Sequence, residues 1–73
     1  MRRFVDEEGR GWDVVIGRES WGGMVALFVP QSGEEVRQKA LVADSHAEAQ
    51  AMLDGATDEE LRSLLAQARP KTN

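Results

Sequence analysis

Three runs of acids are the first places to look for chemistry in this 73-residue chain: Asp6-Glu7-Glu8, Glu34-Glu35 and Asp58-Glu59-Glu60. A hard cation such as calcium needs oxygen ligands at alternating positions, a glycine-forced bend and a distal acid. None of the runs has that spacing. Two carboxylates working as acid and base need surroundings that push their pKa values apart, and nothing apolar next to these acids would do so. They read as a solvated hairpin turn, a loop and a helix start. His46 is the one histidine. A general base needs a nucleophile to activate and an acid to orient it; neither is spaced with His46, which reads as a surface residue in the first turn of a helix. With no cysteine there is no thiolate nucleophile or ligand and no disulfide. Gly9-Arg10-Gly11 and Trp21-Gly22-Gly23 lack the strand, Gly-x-Gly-x-x-Gly and helix order of a dinucleotide site, so both read as turns. No catalytic, cofactor-binding or metal site is expected, and no small-molecule substrate is implied.

Binding chemistry is the next possibility. The aromatics are Phe4, Trp12, Trp21 and Phe28, with no tyrosine. Aromatics flanked by arginine on an open sheet stack unpaired bases, and Arg10, Trp12, Arg18 and Trp21 invite that reading. A net charge of −4 opposes phosphate-driven binding, and no recognisable RNA- or DNA-binding motif accompanies these residues. Core or interface packing is the preferred role for the aromatics. Trp12 shares the apolar parity of its strand and is assigned to the core; Trp21, in a glycine-rich turn, is assigned to the surface.

The positioning elements follow from periodicity. Residues 2 to 6 and 12 to 19 read as a hairpin closed by Glu-Glu-Gly-Arg-Gly. In the second strand Trp12, Val14 and Ile16 alternate with Asp13, Gly17 and Glu19, the pattern of a half-buried strand. Val15 breaks the alternation, and Gly17 suggests a bulge. Met24 to Val29 are unbroken apolar residues in a chain that is 30% charged, so this third strand belongs in the middle of the sheet. Pro30 should end it. Residues 36 to 43 suggest a fourth strand. At Ser45 the period changes: Ser45-His46-Ala47-Glu48 has capping-box spacing, predicting a helix from His46 to Asp54 with Gly55 as a left-handed stop. Thr57-Asp58-Glu59-Glu60 repeats the device, and Leu61, Leu64, Leu65 and Ala68 then fall on one stripe. The expected fold is α+β: a four-stranded antiparallel sheet in ββββαα order, with two C-terminal helices packed on one face. Residues 1–69 form a single domain, and 70–73 are expected to fray.

A domain this short buries only about 60% of the surface its unfolded chain exposes, and disulfide staples are absent. The N-terminus lacks the apolar stretch of a signal peptide and no run is long enough to span a membrane, so a cytoplasmic location and no membrane association are expected. Phe4-Val5-Asp6, Gly9-Arg10, Trp12-Asp13-Val14, Gly17-Arg18-Glu19-Ser20-Trp21-Gly22, Ala26-Leu27-Phe28-Val29-Pro30 and Asp58-Glu59-Glu60-Leu61-Arg62-Ser63-Leu64-Leu65 together resemble a group of small bacterial proteins. The Gly-Arg-Glu-Ser-Trp-Gly string is the most particular part. The resemblance implies a stand-alone small protein and carries no activity with it. The functional expectation is a non-enzymatic interaction module, either a homodimer or an accessory subunit. It would use whichever trio of the third strand, Met24, Ala26 and Phe28 or Val25, Leu27 and Val29, the helices leave bare. Arg18, Trp21, Met24 and Phe28 are the candidate interaction residues, with Trp21 as an anchor presented by its turn. The alternative is a small nucleic-acid- or transcription-associated factor.

Overall fold

Alternation of apolar and polar residues carries the first half of the chain into a sheet, and two capped segments carry the second half into helices. The computed structural model describes residues 2–19 and 22–71. Its elements are β1 (Arg2–Val5), β2 (Gly11–Arg18), β3 (Met24–Pro30), β4 (Arg37–Leu41), α1 (His46–Gly55), α2 (Asp58–Gln67) and β5 (Arg69–Pro70). The strands make one antiparallel meander in the order β1-β2-β3-β4-β5. The class is α+β, with both helices after the first four strands, but the sheet has five strands rather than four.

The fifth strand straddles the start of the segment expected to fray, with Pro70 inside that segment and Arg69 just before it. Gln38 pairs with Arg69 and Arg37 with Pro70, and the Lys71 N–H donates to the Val36 carbonyl at 2.8 Å. That bond aims Val36 and, two residues on, Gln38 toward β5, while Arg37 aims its backbone groups at β3. Pro70 therefore sits where no ladder donor is required. Pro30 is similarly placed. It stays opposite Trp12, and the side on which it lacks an N–H is the one where β4 has not yet begun.

The β3 parity is now assigned. Ala26 and Phe28 join Phe4, Trp12 and Val14 from the sheet and Leu53, Leu61 and Leu65 from the helices in one core. Met24 is buried on the same parity. Phe4 and Phe28 meet edge to face, with centroids 6.0 Å apart and planes at 81°, the geometry the ring quadrupoles favour. Ile16, Leu41, Ala56, Leu64 and Ala68 pack around the margin, so the expected stripe of α2 is the one that faces the sheet.

Gly17 is not a bulge: the β2–β3 register runs unbroken from Trp12↔Pro30 to Arg18↔Met24. Its reason is room, because a Cβ there would stand 2.8 Å from Leu27 Cδ1 and 3.2 Å from Val25 Cγ2. Both helix starts are capped as the sequence predicts. Ser45 accepts from the Glu48 N–H at 3.1 Å, although the Glu48 carboxylate turns to the Asp44 N–H at 3.4 Å instead of closing the box on Ser45. Thr57 and Glu60 close theirs in both directions at 3.1 and 3.0 Å. Gly55 is not a left-handed stop; it is the last residue of α1. Ala56, with extended backbone angles, ends the helix by donating to the Leu53 carbonyl at 3.2 Å.

The two parities of β3 should respond differently to truncation. Phe28→Ala is expected to cost about 3–5 kcal/mol and leave little folded protein, whereas Leu27→Ala on the opposite face should cost roughly half that or less. Urea titrations followed by far-UV dichroism check this, and equal losses would mean that the face without helices is packed as tightly as the core.

Candidate functional site

The face of the sheet turned away from the helices is where the structure leaves apolar side chains without a covering layer. By register, Val15 lies opposite Leu27, Asp13 opposite Val29 and Gly17 opposite Val25. Gln38 and Arg69 continue the Leu27 row across β4 and β5. Val15 and Leu27 are half-buried, Val29 and Val5 are exposed, and Val25 is buried in the gap that Gly17 leaves. This parity explains Val15, which looked anomalous when β2 was read alone: it is the cross-strand neighbour of the second β3 trio. A salt bridge from Arg3 Nε to Asp13 Oδ1 at 2.8 Å closes one corner of the face.

The candidate interaction residues separate. Phe28 is buried in the core with the helix leucines, and Met24 is buried on the same parity of β3. Arg18 is exposed at the end of β2. Trp21, with Ser20, lies outside the described residues. The second trio weighed for β3, Val25, Leu27 and Val29, is the one on the face without helices, and Val15 is the neighbour on that face that the reading of β2 alone did not place there.

Trp12 is 2% exposed and held from three sides. Its indole N–H donates to Asp6 Oδ2 at 2.9 Å, the Arg37 guanidinium lies 5.5 Å from its ring centroid, and its body is in the core. It offers no face for base stacking. Asp6 is likewise more than a solvated turn residue. One carboxylate oxygen accepts from the backbone N–H groups of Glu8 and Arg10 at 2.9 and 2.8 Å, and the other from Arg10 Nε at 3.1 Å and from Trp12. Gly9, at φ +83°, makes the tight return that brings these donors round one acceptor. Burial alone would raise the Asp6 pKa, but the hydrogen bonds from Trp12, from the Arg10 and Glu8 backbone and from the Arg10 side chain together hold it down at about 2.

Charge is distributed unevenly. Glu48, Asp54, Asp58, Glu59 and Glu60 lie on the helices, while Arg37, Lys39, Arg69 and Lys71 gather along β4 and β5. Those four, and Arg18, make no ion pair with another described residue. A groove of about 450 Å³ runs along this edge, lined by Val25, Gln38, Lys39, Ala40, Gln67 and Arg69 with Glu19. A second, more apolar cleft of about 330 Å³ opens between β4 and the helices at Leu41, Met52, Leu53, Ala56 and Leu64. His46 is exposed at the start of α1. Among the described residues, no three His, Asp or Glu side chains come together as a metal ion would need, and no helix is long and apolar enough to cross a membrane.

No family model matches the chain, and no match was found among curated proteins or solved structures. The functional reading therefore rests on this geometry.

The Asp6 hub makes stability acid-sensitive in a defined window. A folded-state pKa near 2, against about 3.9 for an unfolded aspartate, contributes stability that is complete above about pH 4 and lost as pH falls toward 2. Asp6→Asn should cost about 1–3 kcal/mol at pH 7, since an amide leaves at least one of its donors facing a donor. The gap between wild type and variant should shrink as pH falls toward 2. Denaturant unfolding at pH 7, 4 and 2.5 measures it; a gap that stays constant would show that the hub does not hold its charge against protonation.

Proposed function

We propose that this chain is a non-enzymatic protein-interaction domain that self-associates through the open face of its sheet. The observation that carries the reading is the Val15, Leu27 and Val29 cluster, half-buried to exposed on a sheet face that neither helix covers. The rim of that face holds both signs of charge, in Arg3 and Asp13 at one side and in Arg69, Lys71 and Glu19 at the other. A second copy related by a two-fold axis can thus match apolar centre to apolar centre and opposite charge to charge.

Magnitude sets the kind of association. Strands about 4.8 Å apart and rising about 3.3 Å per residue make a five-stranded face of this size roughly 400–500 Å². A standard stable interface takes about 800 Å² from each partner. The expected complex is a weak dimer with micromolar affinity rather than an obligate one, which accords with Val15 and Leu27 being half-buried already in the single chain.

Sedimentation equilibrium from about 1 µM to about 500 µM, a range that covers dissociation constants of roughly −8 to roughly −4.5 kcal/mol, tests this directly. Wild type should pass from monomer to dimer within that range, and Leu27→Lys should remain monomeric with a melting temperature close to wild type. A protein that is monomeric throughout, or a Leu27→Lys variant that dimerises normally, would overturn the reading.

A further inference from the structure

The edge of β4 beyond the short β5 adjoins the open face, sharing Val25, Gln38 and Arg69 with it, but it also offers backbone groups that the face does not. In an antiparallel pair, residues alternate between aiming both backbone groups at one neighbour and aiming both at the other. The Lys71 N–H to Val36 carbonyl bond places Val36 and Gln38 on the β5 side, and the same alternation places Ala40 there. Val36 and Gln38 have β5 opposite them. The residue that would face Ala40 is Gln67, which is the last residue of α2 instead. The Ala40 N–H and C=O therefore point out of the sheet into the 450 Å³ groove. Val42, 94% exposed, follows on the same side.

We infer that this edge docks the C-terminal end of an extended peptide, whose backbone pairs with Ala40 and whose free carboxylate is held between Lys39 and Arg69. A segment added in the same direction as β5 lies antiparallel to β4 and ends beside Arg69, since β5 already occupies the ladder from Gln38 onward. A chain that continued would run into Gln67 and Arg69, so a terminus fits where a passing strand does not. Lys39 shares the parity of Leu41, which packs against the core, and Arg69 lies opposite Gln38 on the open face. The two cations thus flank the edge from its two sides, and neither has an acidic partner among the described residues. Glu19 is the one acid on the lining, and it favours a peptide whose negative charge is confined to its terminus. Strand addition with carboxylate capture is an established way for a sheet edge to bind a peptide. The unpaired backbone groups favour a peptide over a nucleic acid, which cannot complete a ladder, and the described aromatics are all buried.

The probe is a fluorescein-labelled hexapeptide of alternating valine and threonine ending in a free carboxylate, measured by anisotropy against wild-type protein at low salt. It should bind, and the same peptide with a C-terminal amide should bind at least tenfold more weakly. Lys39→Gln and Arg69→Gln should each weaken the acid form about tenfold while leaving the melting temperature and the amide affinity unchanged. Equal affinity for acid and amide, or no binding of either, overturns the proposal. So does tighter binding of a single-stranded oligonucleotide that both variants abolish, which would assign these cations to phosphate instead.

Discussion

The structure depends on one constraint: β3 is apolar on both faces, and the described residues offer only two ten-residue helices with which to cover it. A helix that long spans about 15 Å and is about 10 Å wide, so two of them roof one side of a small sheet and no more. The roof goes to the side with the larger side chains. Phe4, Trp12 and Phe28 stand on that parity, and aromatic rings remove the most surface from water per residue. Valines, one leucine and a glycine are left on the other side, where Gly17 lets Val25 and Leu27 settle against the backbone. The uncovered face is thereby made less greasy than a six-residue apolar run suggests, by shape at its centre and by Arg3, Asp13, Gln38 and Arg69 around it.

A single carboxylate ties the rim of that core to the first hairpin. Asp6 accepts hydrogen bonds from the turn backbone, from Arg10 and from the Trp12 indole, so the conformation of the turn and the orientation of the largest core side chain are set together. Arg37 lies over Trp12 from β4, on the opposite side of β3 from β2 in the sheet order. The indole is therefore the point where the first turn, β2 and β4 are connected through side chains. A surface acid in a charged turn is ordinarily worth little; half-buried, at 9% side-chain exposure and with four donors, Asp6 is better held than that.

Much of this was legible in the residues, and the exceptions share a cause. The alternation of Trp12, Val14 and Ile16 gives β2 and its buried side, and the Ser45 and Thr57 caps give the helix starts, because each depends on neighbours within a turn or a strand. What could not be read depends on groups distant along the chain. The parity of β3 is symmetric until the helices choose. Met24 and Phe28 consequently looked as available as Val25 and Leu27, and only the packing of Leu53, Leu61 and Leu65 separates them. Gly17 and Gly55 carry the signals of a bulge and a left-handed stop, yet one is explained by the Leu27 side chain across the strand and the other is simply helical. Asp6 resembles any turn acid until the hairpin brings the Trp12 indole to it. Two residues are too few to show a period, so Arg69 and Pro70 cannot announce a strand; Lys71 bonded to Val36 does.

That last pairing has a consequence for the whole edge. β5 can be no longer on its N-terminal side, because the chain before Arg69 is committed to α2, whose Leu61 and Leu65 must reach the core. Lengthening the strand by two residues would unwind the last turn of the helix and withdraw Leu64 and Ala68 from the margin where they pack. The ladder therefore stops at Gln38 and leaves Ala40 open. Edges of this kind are commonly blunted by charge, and Lys39 serves that purpose against another flat apolar strand. A lone lysine would suffice for that. Arg69 on the other side of the same edge lines the groove with two glutamines and has no acidic partner among the described residues, and two cations flanking unfilled backbone groups suit an anion-ended strand as readily as they bar a neutral one.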